Sequence, residues 1–154
     1  MGDMKLSVVV VGHRPQRVGT MGDVRAIGEP IGTKRIGLGR FRYETTAQPS
    51  TFIVRVAGID GPRLLRHSLD TGEAFGEQHP EGWVWITDLR RLIWTSPRSL
   101  RYVRRIRRLP NNRGYAVIAR LSFRLFGRVF GRVFGAQRFV STPEQALTFA
   151  AEQL

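Results

Sequence analysis

The sequence predicts a mixed α/β domain: one mostly parallel sheet covered by about four helices, in the order ββαβαβαβα. Three observations carry this. Short β-branched and aromatic runs recur at 51–57, 83–87 and 115–119. Between them lie longer stretches with apolar residues at helical spacing, opened by capping residues or proline. The chain has 154 residues and 42% hydrophobic content, enough to build one core of ordinary size. Strands that alternate with helices in this way favour a parallel sheet with helical cover.

The first forty residues differ in texture, holding eight of the chain's seventeen glycines. Residues 1–40 are therefore expected to be a glycine-rich extension, partly disordered or adding an edge strand through 6–11, and residues 41–154 the folded domain. Gly28 and the run Gly32-Thr33-Lys34-Arg35 hint at a phosphate loop. Such a loop needs four residues between its first glycine and a Gly-Lys pair followed by Ser or Thr, so 28–34 is read as ordinary loop.

From residue 41 the elements follow in order. Residues 41–46 alternate large and polar side chains, 47–50 carry turn chemistry, and T-F-I-V-R-V-A at 51–57 is strongly β-forming, giving a hairpin. Pro62 suits a first helical turn, and Leu64, Leu65 and Leu69 share one face of a helix reaching about residue 75. W-V-W-I-T at 83–87 is apolar on both sides, as in a central strand. Ser96-Pro97 opens a helix whose inward face is Leu100, Val103 and Ile106, and which stops at Pro110-Asn111-Asn112. Y-A-V-I-A at 115–119 is a third core strand, 122–134 a further helix, and 138–140 an outer strand. Thr142-Pro143-Glu144-Gln145 has capping-box form, and the last helix is expected to face inward through Leu147, Ala150, Ala151 and Leu154.

Charge is unevenly placed. Lys and Arg number 25 against 12 Asp and Glu, and residues 89–143 contain no acid but fourteen arginines. That half of the domain projects a positive field. Arg98, Arg101, Arg104, Arg105 and Arg108 fall on one predicted helix, and Arg120, Arg124, Arg128 and Arg132 recur every four residues through the next. These are the candidate contacts to an acidic protein surface, anionic lipid or nucleic acid. The alternative is a solvated helix face, and no helix-turn-helix, RNA-recognition or zinc signature accompanies the charge. The repeated Phe-Gly-Arg-Val tetrad from Phe126 lines up phenylalanines, glycines and arginines as three strips. Its glycines let the helix lie close to the sheet, or to a second copy as a homodimer.

Other classes find little support. There is no cysteine, which suits a reducing compartment and leaves no thiolate metal site. The three histidines, His13, His67 and His79, are scattered without ligand spacing, so neither a metal nor another cofactor is expected. Apolar runs such as 8–11 are far below the roughly 20 residues of a membrane span, and no secretory leader is recognisable, so a cytoplasmic protein is expected. Asp70, Glu73, Glu77 and Glu81 look like an exposed face, while Asp60, Asp88 and the histidines are read as caps or turn residues; with no nucleophile beside a base, the chain is read as non-catalytic.

Three stretches carry a family resemblance: Gly82-Trp83-Val84-Trp85-Ile86-Thr87-Asp88-Leu89, Arg113-Gly114-Tyr115-Ala116-Val117-Ile118-Ala119, and Phe139-Val140 followed by Pro143-Glu144-Gln145-Ala146-Leu147. In this order they resemble the STAS domain, the sulphate-transporter and anti-sigma-factor-antagonist fold, in its sporulation-antagonist-like (SpoIIAA-like) branch. The resemblance implies a regulatory domain acting through a protein partner. It also implies a switch, a phosphorylatable Ser or Thr in an Asp-Ser context after the Asp-Leu strand. Here Ser96 stands at the family's aspartate and Pro97 at its phosphoacceptor. Thr95, Ser96 and Ser99 are the remaining candidate phosphosites, with Ser96 also readable as a helix cap.

Overall fold

A computed structural model describes residues 28–120 and 135–154. In chain order these form β1 (Glu29–Ile36), β2 (Gly39–Ala47), β3 (Ser50–Asp60), α1 (Pro62–Glu77), β4 (Trp83–Thr95), a 3₁₀ turn (Pro97–Ser99), α2 (Leu100–Ile106), β5 (Asn112–Ile118), β6 (Arg138–Val140) and α3 (Pro143–Gln153). The six strands make one sheet in the order β1-β2-β3-β4-β5-β6. β1, β2 and β3 are antiparallel neighbours, whereas β3 to β6 run parallel.

The mixed sheet agrees with the sequence, but the element order does not fully. Three strands, not two, precede α1, because 28–34 is not loop: most of it is β1, paired with β2 from Glu29↔Thr45 to Ile36↔Gly39. Nearly all of β1 is exposed, so it has no apolar face to announce it. The described residues contain three α-helices, and the helix expected at 122–134 and the strand expected at 6–11 lie outside them.

Strand periodicity divides the core in two. Phe41 and Tyr43 of β2, Phe52, Val54 and Val56 of β3, Trp83 and Trp85 of β4 and Tyr115 and Val117 of β5 point to one face. There they pack under Leu64, Leu65 and Leu69 of α1 and Val103 and Ile106 of α2. Both crossover helices lie on that face, as two successive right-handed parallel connections require. Gly72 lets α1 come close: a Cβ there would stand 2.3 Å from Trp85 Cζ3.

On the opposite face Ile53, Val84, Ile86, Ala116, Ile118 and Val140 meet Ala146, Phe149 and Ala150 of α3. This corrects the expected inward stripe of the last helix. Ala150 is buried and Leu147 partly so, but Ala151 and Leu154 are exposed, and Ala146 and Phe149 take their place. The cap is as expected at Thr142, whose Oγ1 accepts from the Gln145 N–H at 3.3 Å. The return bond lands one residue earlier, from the Ser141 N–H to Gln145 Oε1 at 3.0 Å.

β4 continues eight residues beyond the predicted Thr87, to Thr95. Its extension follows β3 through Asp60↔Thr95, with β-bulges on the way. Gly58 makes one of these irregularities possible: its φ is +77°, and a Cβ would collide with Leu38 O at 2.1 Å.

Candidate functional site at the ends of the parallel strands

The carboxyl ends of β3 and β4 meet at Asp60 and Thr95, and the chain then enters α2. In open α/β sheets, ligands commonly bind outside the carboxyl ends of the parallel strands. Asp60 O accepts from the Ser96 N–H at 3.2 Å, tying the α2 entry to the end of β3. Ser96 is the cap of the 3₁₀ turn, its Oγ accepting from the Arg98 N–H at 3.3 Å. Thr95 Oγ1 donates to Asp60 Oδ2 at 3.0 Å. Ser99 is buried, and its hydroxyl has no hydrogen-bond partner. The three predicted phosphosites thus share one turn, with Ser96 and Thr95 engaged in local bonds and Ser99 inside.

Because Val103 and Ile106 point inward, the helical period puts Arg101, Arg104, Arg105 and Arg108 outward, and Arg98 joins them from the turn; all five are exposed. Arg101 lies over the Tyr102 ring, 4.9 Å from its centre, and donates to its hydroxyl. Arg120 is exposed two residues beyond β5 and lines a cleft with Arg40, Arg55 and Arg90 rather than with this group. Arg124, Arg128 and Arg132 lie outside the described residues.

Beneath the α2 entry is a polar cluster that sequence reasoning missed. Asp60 is not a turn residue: it is 8% exposed, and one carboxyl oxygen, Oδ1, is buried without a hydrogen bond. Burial pushes its pKa up to about 6, against the opposing hydrogen bonds from Thr95 and the Gly61 backbone. Trp85 Nε1 donates to Thr87 Oγ1 at 2.8 Å, and Thr87 in turn to the Tyr115 hydroxyl at 3.4 Å. Tyr115 is raised to about 12, chiefly by burial and further by the Asp60 charge. A cavity of about 40 Å³ joins Asp60, Thr87, Thr95 and Tyr115 under Leu89 and Leu92. It is large enough for solvent but not for a substrate. The group lacks a nucleophile paired with a base; its acidic member, Asp60, sits where the end of β3 is bonded to the entry of α2.

The other face of the sheet also carries charge. Asp88, read from sequence as a cap or turn residue, is buried in β4 and held by Arg90 through Nε to Oδ1 at 2.9 Å and Nη2 to Oδ2 at 2.7 Å. This bond pushes the Arg90 pKa up further still. Glu44, fully buried in β2, forms ion pairs through Oε1 with Arg42 Nε at 3.1 Å and Arg55 Nε at 2.9 Å. The alternation of Arg40, Arg42 and Glu44 with Phe41 and Tyr43 was a usable signal for this group. The approach of Arg55 and Asp88 was not, since it depends on strand register.

These features define an open α/β fold, antiparallel at one end of the sheet and parallel at the other, with a basic helix following β4. Solved structures share it. The chain is similar to an anti-sigma factor antagonist from Mycobacterium paratuberculosis, with a TM-score of 0.55 at 18% identity over 73% of this chain and 93% of the other. It is equally similar, at 0.55, to an uncharacterised DUF3478-family protein with a SpoIIAA-like fold from Shewanella loihica PV-4, at 11% identity over 76% and 97% of the two chains. No protein-family model matches the sequence, and no curated protein matches it. The fold is the SpoIIAA-like one of these solved structures, as the sequence resemblance implied.

Proposed function

We propose that this chain is a non-catalytic regulatory domain that recognises a protein partner through the β4–α2 junction. The observation that carries the reading is the combination of an anti-sigma-factor-antagonist-like fold with an acid-free α2 that presents Arg98, Arg101, Arg104, Arg105 and Arg108 at the strand ends. Such a surface favours an acidic partner, with charge steering the encounter and the shape of the junction setting specificity. Thr95, Ser96 and Ser99 are the proposed switch positions. A phosphate on Ser96 would replace its capping bond to the Arg98 N–H and bring negative charge among these arginines. A cytoplasmic setting fits this reading.

Affinity purification of the tagged full chain from native cells, read by mass spectrometry with phosphopeptide mapping, tests the proposal. One acidic protein is expected to be enriched by the wild type and lost with Arg101→Glu/Arg105→Glu. Recovery of the same proteins by both forms counts against the junction, and unmodified Thr95, Ser96 and Ser99 under all growth conditions count against the switch.

The exposure of the arginines on and beside α2 also favours a second reading, a peripheral binder of anionic membrane or nucleic acid. Sedimentation with anionic and neutral vesicles, and a nucleic-acid mobility shift, separate the two across a salt series. Retention that disappears toward physiological salt and ignores the identity of the polyanion is the charge effect alone. Tight retention on one polyanion at that salt favours the second reading.

A further inference from the structure

The face of the sheet opposite α1 and α2 is covered by α3 over β4, β5 and β6 and the start of β3. Beyond that cover, β2 and the later parts of β3 and β4 form a cleft of about 400 Å³, within the range of small-molecule sites. Six arginines line it: Arg40, Arg42, Arg55, Arg90, Arg91 and Arg120. Glu44 and Asp88 are the lining acids, so the formal charge of the cleft is 6 − 2 = +4.

Register explains why these cations converge. Arg42 lies opposite Arg55 on the antiparallel neighbour, and Arg55 lies beside Asp88 on the parallel one. One row along, Arg40 and Arg91 flank Ala57, whose small side chain leaves space between them. Like charges directly opposite on adjacent strands repel. Here the repulsion is met from below by two buried carboxylates, Glu44 contacting Arg42 and Arg55, and Asp88 contacting Arg55 and Arg90. Those contacts hold three guanidinium groups in place. Arg40, Arg91 and Arg120 have no carboxylate within ion-pair distance among the described residues. Positioned guanidiniums around a concave floor, with positive charge in excess, are suited to an oxyanion with several acceptor oxygens. The arginines of α2, by contrast, stand on a convex helix.

We propose that this cleft binds the phosphoryl group of a phosphomonoester, with Arg40 and Arg91 closing on it and Glu44 and Asp88 acting as positioning residues for Arg42, Arg55 and Arg90. The cleft and α2 are on opposite faces of the sheet, so the proposal does not depend on the partner-recognition reading.

Calorimetric titration of the full chain with inorganic phosphate and with pyrophosphate, at constant ionic strength, tests it. Saturable one-to-one binding is expected. It should weaken at least about tenfold in Arg40→Ala/Arg91→Ala, the loss of charge-assisted hydrogen bonds, and stay unchanged in Arg101→Ala/Arg105→Ala. Arg40 and Arg91 are exposed, so thermal melts of the first variant should match the wild type and show that it folds. A phosphoseryl peptide, its unphosphorylated form and free phosphoserine, added as competitors, identify the source. Displacement of pyrophosphate by the phosphorylated peptide and not by its unphosphorylated form places the phosphoryl group on a protein, whereas displacement by free phosphoserine but by neither peptide places it on a small free ester. Absence of saturable binding, equal weakening by the α2 variant, or equal displacement by both peptides overturns the proposal.

Discussion

Asp60 shows how one side chain can connect burial to behaviour. Its folded-state pKa, about 6, lies above the ordinary 3.8. Between these pH values the folded chain holds a proton that the unfolded chain has released. The stabilisation from that proton is fully present at low pH and is lost as the pH rises through about 6. The linked change is on the order of 3 kcal/mol for a shift of this size. Asp60→Asn is therefore expected to flatten the stability profile between pH 4 and 7, read by denaturant titration against the wild type. Parallel profiles for the two proteins would place the titration elsewhere. None of this was legible in the residue itself. A lone aspartate before Gly61 and Pro62 looks like a turn residue, and its burial follows from Leu89, Leu92 and Tyr115, which arrive from other strands.

At the scale of elements, α1 and β4 show how closely the layers fit. Gly72 faces Trp85, which is fully buried. Alanine is favoured over glycine in a helix by about 1 kcal/mol, yet its methyl would meet the indole at 2.3 Å. Overpacking of this kind costs roughly 1–3 kcal/mol, so Gly72→Ala is expected to lower stability by up to about 2 kcal/mol net. A thermal or denaturant melt checks this, and a stabilised variant would show that α1 is free to move outward. Elements with a buried face were readable in advance. The 51–57 and 115–119 runs, Pro62 with its leucines, and the Thr142 cap all declared themselves through local pattern. β1 did not, because an exposed edge strand needs no apolar alternation. In α3, Ala146 and Phe149 join the expected Ala150 on the inward face, with Leu147 partly buried beside them, and Leu154 carried a strong but misleading signal.

At the scale of the whole molecule, the alternation of strands and helices pointed to the mixed α/β class, though not to the exact order of elements, and the two basic groups differ in how far they can be read from sequence. The α2 arginines are neighbours in sequence and could be listed from it. The second basic group draws on residues from 40 to 120, and only strand order and register bring them together. The two groups give the domain a basic surface on either side of one sheet, and the functional account assigns the α2 side to a protein partner. The most direct measurement of that assignment is a hydrogen-exchange footprint of the domain bound to the partner recovered by affinity purification. Slowed exchange in residues 95–108, with β1 and α3 unchanged, is the predicted result. Protection confined to β1 or α3, with α2 exchanging as in the free domain, would contradict it.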